Sequence, residues 1–322
     1  MNKQYETAEF DIFCNKIKLA MENHFGDDYT IRISEVNKLN GLVLHGLTIL
    51  KKTKNICPTI YLETYFDAYL AGKTLGETVN EIISLYNNSD CLSADQLDFF
   101  SDYEQVKSHL MYKLMNYEMN RELLANVPYR KFLDLALVCI VRVDIDGHGF
   151  GNVMVHNNHI CMWGISRDRL FADARNSTLV CDGFHVLPME EMIEEIRSQF
   201  GSEDAFSDTE AEDIVSKSTG MHVVTNNHQT YGAALIVYEQ VLEGIAQALE
   251  SDFFILPSSI HEVIVIPKDI VSDPGALNDM IREVNGTILS KEDILSDHAY
   301  LYMREEKAII NVLSQEKTAY FD

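Results

Sequence analysis

The chain of 322 residues holds six cysteines but no Cys-x-x-Cys pair, and no His-Glu-x-x-His run among its histidines. The commonest zinc frameworks are thereby excluded. No glycine-rich turn of the dinucleotide-binding kind links a strand to a helix, so no nucleotide cofactor, and no other cofactor, is expected. Apolar runs such as Ala136 to Val141 stop far short of the roughly 20 residues that a membrane span needs. The opening Asn2-Lys3-Gln4-Tyr5-Glu6 lacks the basic-then-apolar order of a secretory leader, and a cytoplasmic protein is expected. Fixed-period repeats and low-complexity tracts are missing as well. Basic residues are scarce: 26 Lys and Arg face 50 Asp and Glu, a net charge of −24. Such a surface repels nucleic-acid phosphates and anionic membranes, which leaves a basic protein as the expected partner.

What is present suffices for a folded core, since 46% of the residues are hydrophobic. A chain of this length builds one large core or two medium ones. Several cysteines sit inside apolar stretches, as in Leu137-Val138-Cys139-Ile140, the setting of buried reduced thiols. Phe10, Phe13, Cys14, Ile17, Met21 and Phe25 recur at helical steps until Gly26. Tyr29, Ile31 and Ile33 then alternate with polar residues, and Asn40-Gly41 turns the chain into a second extended run, Leu42 to Leu50. A third strand over Thr59 to Leu62 and a helix opened by the Thr74/Glu77 capping box complete an α-β-β-β-α-α order.

Polar residues from Asn87 to Asp102 read as a connection, dividing the chain into 1–90 and 91–322. Beyond it, Val106 to Leu114 alternates as a strand does, with a helix as the alternative because many of the residues between are also apolar, and the apolar run Phe132 to Val143 predicts a strand buried on both faces. A hairpin is expected with Asn157-Asn158 at its tip, and helices over Ser166 to Ala174 and Met189 to Phe200. An acidic loop follows from Gly201 to Asp213. Strands at Met221 to Thr225, Phe253 to Leu256, Glu262 to Ile266 and Tyr300 to Met303 alternate with helices at Glu239 to Glu250 and Pro274 to Val284. The pattern defines an α+β fold with mixed or antiparallel sheets and packed helices, in two units.

The segments Tyr61-Leu-Glu-Thr-Tyr-Phe-Asp, Asn116-Tyr-Glu-Met-Asn-Arg121, Phe132-Leu-Asp-Leu-Ala and, above all, Phe253-Phe-Ile-Leu-Pro-Ser-Ser-Ile-His-Glu-Val263 resemble an uncharacterised bacterial family of unknown function, DUF5688, along most of the chain. The resemblance implies no activity, cofactor or catalytic residue.

Ser258, Ser259, His261 and Glu262 bring two hydroxyls, an imidazole and a carboxylate into one short segment, the residue types of nucleophilic and acid/base chemistry. Neighbours on an extended segment point to opposite faces, however, and a serine nucleophile draws its base from elsewhere. The bland alternative is a polar connection bent by Pro257. His156, His159 and Cys161 flank the expected Asn157-Asn158 tip, where two of them would face one another across the hairpin as metal ligands. Exposed imidazoles on a hairpin tip are the alternative. Asp144-Ile-Asp146-Gly-His148-Gly149 starts like a calcium loop but has Val155 where the bidentate glutamate belongs, and reads as a turn. The acids of 190–213 form a solvated strip or imitate a nucleic acid's phosphate ladder. Arg121 to Arg130 is too small a basic patch to argue for nucleic-acid binding. Three readings follow: a non-enzymatic interaction or regulatory protein, a hydrolase built on the Ser258 to Glu262 segment, or an acidic nucleic-acid mimic carried by a mobile element.

Overall fold

The protein is an α+β chain with three antiparallel sheets, seen in a computed structural model that describes residues 7–53, 57–88, 99–144, 150–192 and 220–318. It divides into two compact units, Met1–Val106 with Arg142–Asn152, and Lys107–Val141 with Val153–Asp322.

In the first unit helix α1 (Ala8–Phe25) starts where Thr7 accepts the Phe10 N–H and stops at Gly26, whose φ of 68° suits glycine. Strands β1 (Tyr29–Asn37) and β2 (Val43–Lys51) form the hairpin, with Asn40 and Gly41 both at positive φ in its turn. Strand β3 (Thr59–Tyr61) adds to β2. Helix α2 (Glu63–Leu70) precedes α3 (Leu75–Asn88), which opens on the reciprocal Thr74/Glu77 bonds of a capping box. Phe10, Phe13, Ile17, Met21, Leu47, Ile49, Phe66 and Ile82 close on one another as the core. The helical turn α4 (Tyr103–Val106) also belongs to this unit.

The second unit contains most of a four-stranded sheet in which β6 (Leu135–Asp144) lies between β4 (Leu110–Asn116) and β5 (Tyr129–Phe132), with β7 (Phe150–Met154) also on β6. The apolar run from Phe132 is therefore two strands, not one. Leu133 takes a φ of 54° in the two-residue turn, a region that disfavours a branched side chain, so no glycine or asparagine marked the break. The short helix α5 (Arg121–Leu124) links β4 to β5. Helix α6 (Asn157–Trp163) is followed by α7 (Arg167–Asp182), which packs on β4: the Tyr112 hydroxyl donates to the Phe171 carbonyl at 2.6 Å and the Tyr112 N–H to Thr178 Oγ1 at 3.0 Å.

The seven-stranded sheet runs β14 (Lys317–Thr318), β13 (Ala308–Asn311), β12 (Tyr300–Met303), β10 (Phe253–Leu256), β11 (Val263–Pro267), β9 (His222–Thr225), β8 (His185–Pro188). Pro188 thus ends an edge strand, where a missing N–H does least harm, and a helix begins after it. Helices α8 (Glu239–Leu249) and α9 (Pro274–Thr287) bury Val241, Leu242 and Ile245, and Leu277 and Ile281.

A polar knot ties the two sheets of this unit. Asp134, in the β5–β6 turn, accepts from Tyr300 Oη at 2.8 Å, Asn311 Nδ2 at 3.3 Å and Ser296 Oγ at 3.3 Å. His298 lies 3.5 Å from the same carboxylate and 2.7 Å from that of Asp297. Burial alone raises the Asp134 pKa, but its partners, led by His298 and Tyr300, outweigh burial and hold it low. Burial alone lowers the pKa of His298; Asp134 and Asp297 outweigh it and raise it. A depressed carboxyl stabilises above its unfolded pKa of about 3.9 and loses this as pH falls, whereas a raised imidazole stabilises below about 6.5 and loses it as pH rises. Urea unfolding between these two pH values is expected to show the knot at full strength. Asp134→Ala is expected to cost about 3 kcal/mol there and to flatten the decline on both sides.

Candidate functional site

Pro257 to Glu262 leaves the end of β10 and crosses the head of the sheet beside residues 293–296. The Ile260 N–H donates to the Asp293 carbonyl at 2.9 Å, and the Leu295 and Ser296 N–H groups donate to the carbonyls of Ser258 and Pro257, each at 2.9 Å. This pairing buries Ser259, whose hydroxyl accepts the His261 N–H at 3.0 Å, and sets His261 against Asp293. The imidazole Nδ1 accepts the Tyr231 N–H at 3.4 Å, so the hydrogen is on Nε2, which faces Asp293 Oδ1 at 3.3 Å. Ser290 Oγ donates to the other Asp293 oxygen at 2.6 Å. The His261 bond keeps the Asp293 pKa low against burial, with Ser290 and the Lys113 ammonium adding to the effect.

Tyr231 stacks on the His261 ring at 5.5 Å and 15°, in a left-handed conformation with φ of 59°. Lys113, from β4 and only 4% exposed, places its ammonium 4.0 Å from the other ring's centroid, that of Tyr231. Gly232 follows in a buried turn, where a Cβ would meet Thr225 Oγ1 at 2.5 Å, the His261 carbonyl at 2.6 Å and the Asn226 N at 2.8 Å. Thr225 in turn donates to that carbonyl at 2.9 Å. A cavity of about 520 Å³ opens beside these groups, with Ser259, His261, Glu262, Asp293 and Gln229 on its polar side and Met189, Met192, Val223, Ile264 and Leu289 on its apolar side.

All four candidates of the Ser258 to Glu262 segment thus lie at one place, Ser258 half-buried and Glu262 on the cavity wall. Among the described residues no serine hydroxyl is hydrogen-bonded to the His261 ring, whose nitrogens face the Tyr231 N–H and Asp293. Asp293, Ser290, Tyr231, Gly232 and Lys113 escaped the sequence reading because they come from segments between 29 and 148 residues from His261 and have no local motif.

The expected hairpin at Asn157-Asn158 is corrected. Asn157 begins α6, His156 is its N-cap, and the N–H of His156 donates to His159 Nδ1 at 3.1 Å while the His156 side chain receives the backbone of the third helical residue. Gly164, left-handed at φ 63°, closes the helix, and was the overlooked stop signal. The His156 and His159 rings touch edge to face at 5.6 Å, and burial, then the neighbouring His156, lowers the His159 pKa. Cys161 is exposed and lies two helical positions beyond His159, turned away from it. These three side chains form no ligand set, and among the described residues no group of three or more His, Cys, Asp or Glu is placed to hold a metal. Residues 145–149 of the supposed calcium loop, and 193–219 with most of the acidic strip, lie outside the described residues.

The fold and the site together define an α+β protein with a histidine–aspartate pair at the wall of a half-apolar cavity. Residues 10–304 match a family of unknown function, DUF5688, and the chain belongs to that family. No curated protein and no solved structure matches it.

Gly232→Ala is expected to destabilise the protein by about 2 kcal/mol or more, because two of the three close atoms belong to backbone that cannot swing aside. Gly244→Ala, in the open middle of α8, is expected to stabilise by about 0.5 kcal/mol. The urea midpoints of the two variants check the pair, and a Gly232→Ala midpoint equal to the parent's contradicts the packing described.

Proposed function

We propose that the protein is a non-enzymatic interaction protein of the cytoplasm, and that the cavity beside β9 and β11 receives a lysine or arginine side chain of a basic partner. The observation that carries this is the state of His261: with Nδ1 taking the Tyr231 N–H and Nε2 facing Asp293, the ring has no nitrogen left to activate Ser258 or Ser259. What the cavity offers instead is a surface with two chemistries. Met189, Met192, Val223, Ile264 and Leu289 suit an aliphatic stem, and the carboxylates of Glu262 and Asp293 suit its cationic tip. The net charge of −24 draws a basic partner toward the site. The buried free thiols of Cys14 and Cys139 fit a reducing compartment; burial raises both pKa values, that of Cys14 to about 12. Among the described residues no helix is long and apolar enough to cross a membrane.

A short uncharged peptide carrying one lysine is expected to bind better than its norleucine counterpart in calorimetry, and to weaken as salt is raised. Glu262→Gln is expected to lower the affinity about threefold to tenfold. Equal affinity for the two peptides removes the reading. With p-nitrophenyl acetate, Ser258→Ala, Ser259→Ala and His261→Ala are expected to leave the slow background rate unchanged; a loss common to all three would restore the hydrolase.

A further inference from the structure

The second unit carries another cavity, of about 440 Å³, whose charge is opposite to that of the chain as a whole. Asp168, Phe171, Ala172 and Arg175 recur at three- and four-residue steps along α7 and so share one face of it. Facing them are Arg130 from the edge strand β5 and Tyr112 from β4. The Arg130 guanidinium lies 4.9 Å from the Phe171 ring centroid, and its side chain is only 25% exposed. Packing of its stem fixes where its donors stand. Arg167 adds a third charge, 5.9 Å from the Phe171 centroid and 5.6 Å from that of Tyr129. Both Arg130 and Arg175 act electrostatically on the buried Tyr112 phenol, although its burial is the larger influence, so two positive fields reach the floor of the cavity.

We propose that this cavity is a binding site for a small organic oxyanion, a phosphate monoester or a carboxylate, held between the guanidinium groups of Arg130 and Arg175 with Asn176 at its edge. Guanidinium forks match such oxyanions in plane and in charge. One carboxylate that pairs with Arg130, that of Asp168, lies 3.2 Å away on a side chain that is 90% exposed. An ion pair of that kind is worth little, and a ligand anion that brings its own contact to Arg175 displaces it. The volume lies in the range of small-molecule sites, about 300 to 1,000 Å³. A polynucleotide fits less well, because beyond the few arginines it would run over a surface whose net charge is −24.

The full chain is titrated calorimetrically at low ionic strength with phenyl phosphate and, separately, with benzoate. Saturable binding of one molecule per chain is expected for at least one probe, and which of them binds tells the phosphate source from the carboxylate source. Arg175→Gln is expected to weaken that binding about tenfold, the scale of one charge-assisted hydrogen bond. Asp168→Asn is expected to strengthen it about threefold by removing an internal competitor. Failure of both probes to saturate overturns the proposal, as does an affinity that Asp168→Asn leaves unchanged. Should Arg175→Gln unfold, the Asp168→Asn result decides, since Asp168 is at the surface and its replacement leaves the packing of α7 intact.

Discussion

The carboxylate of Asp134 is the constraint on which the second unit depends. It stands in a two-residue turn at the end of the four-stranded sheet, yet its partners Ser296, His298, Tyr300 and Asn311 all belong to the seven-stranded sheet or the segment leading into it. A buried anion is tolerable only with several donors around it, so both sheets are held wherever those donors are satisfied. The same requirement accounts for Leu133, whose left-handed backbone brings the turn, and with it Asp134, to the knot.

From this knot the order passes to the cavity. Ser296, held by Asp134, also donates its N–H to Pro257, and Leu295, whose carbonyl accepts the Asn116 amide at 3.1 Å, donates to Ser258. Backbone pairing between their flanks thus sets Asp293 beside His261. The stacked Tyr231 and the tight approach at Gly232 fix the ring from the other side. His261 thus has both ring nitrogens hydrogen-bonded and forms part of the cavity wall.

The acidic character of the chain conceals a local exception. Arg130 and Arg175 are 45 residues apart in the sequence and come together only where β5 meets the face of α7. Net charge describes long-range encounter, whereas short-range recognition depends on which charges the fold places within a few ångströms of each other. A cavity lined by two arginines therefore coexists with a net charge of −24 on the chain.

The sequence by itself determined the elements whose signals are local. The period of α1, the Asn40-Gly41 turn, the Thr74/Glu77 box and the alternation or continuity of β9 to β12 need only neighbouring residues to be understood, and the α+β class follows from their order. It also marked Ser258 to Glu262 as a place where polar groups collect. Where local signals competed or were absent, it misled: asparagines at 157 and 158 serve a helix start as well as a turn, and Leu133 gives no sign of a turn at all. Only the tertiary structure decided that His261 faces Asp293 and Tyr231, that Lys113 lies beneath that tyrosine, that Cys161 turns away from the touching His156 and His159, and that Arg130 and Arg175 line one cavity. The physical reason is separation along the chain: contacts between residues tens or hundreds of positions apart are set by how sheets pack and strands pair, and no periodicity in a short window records them.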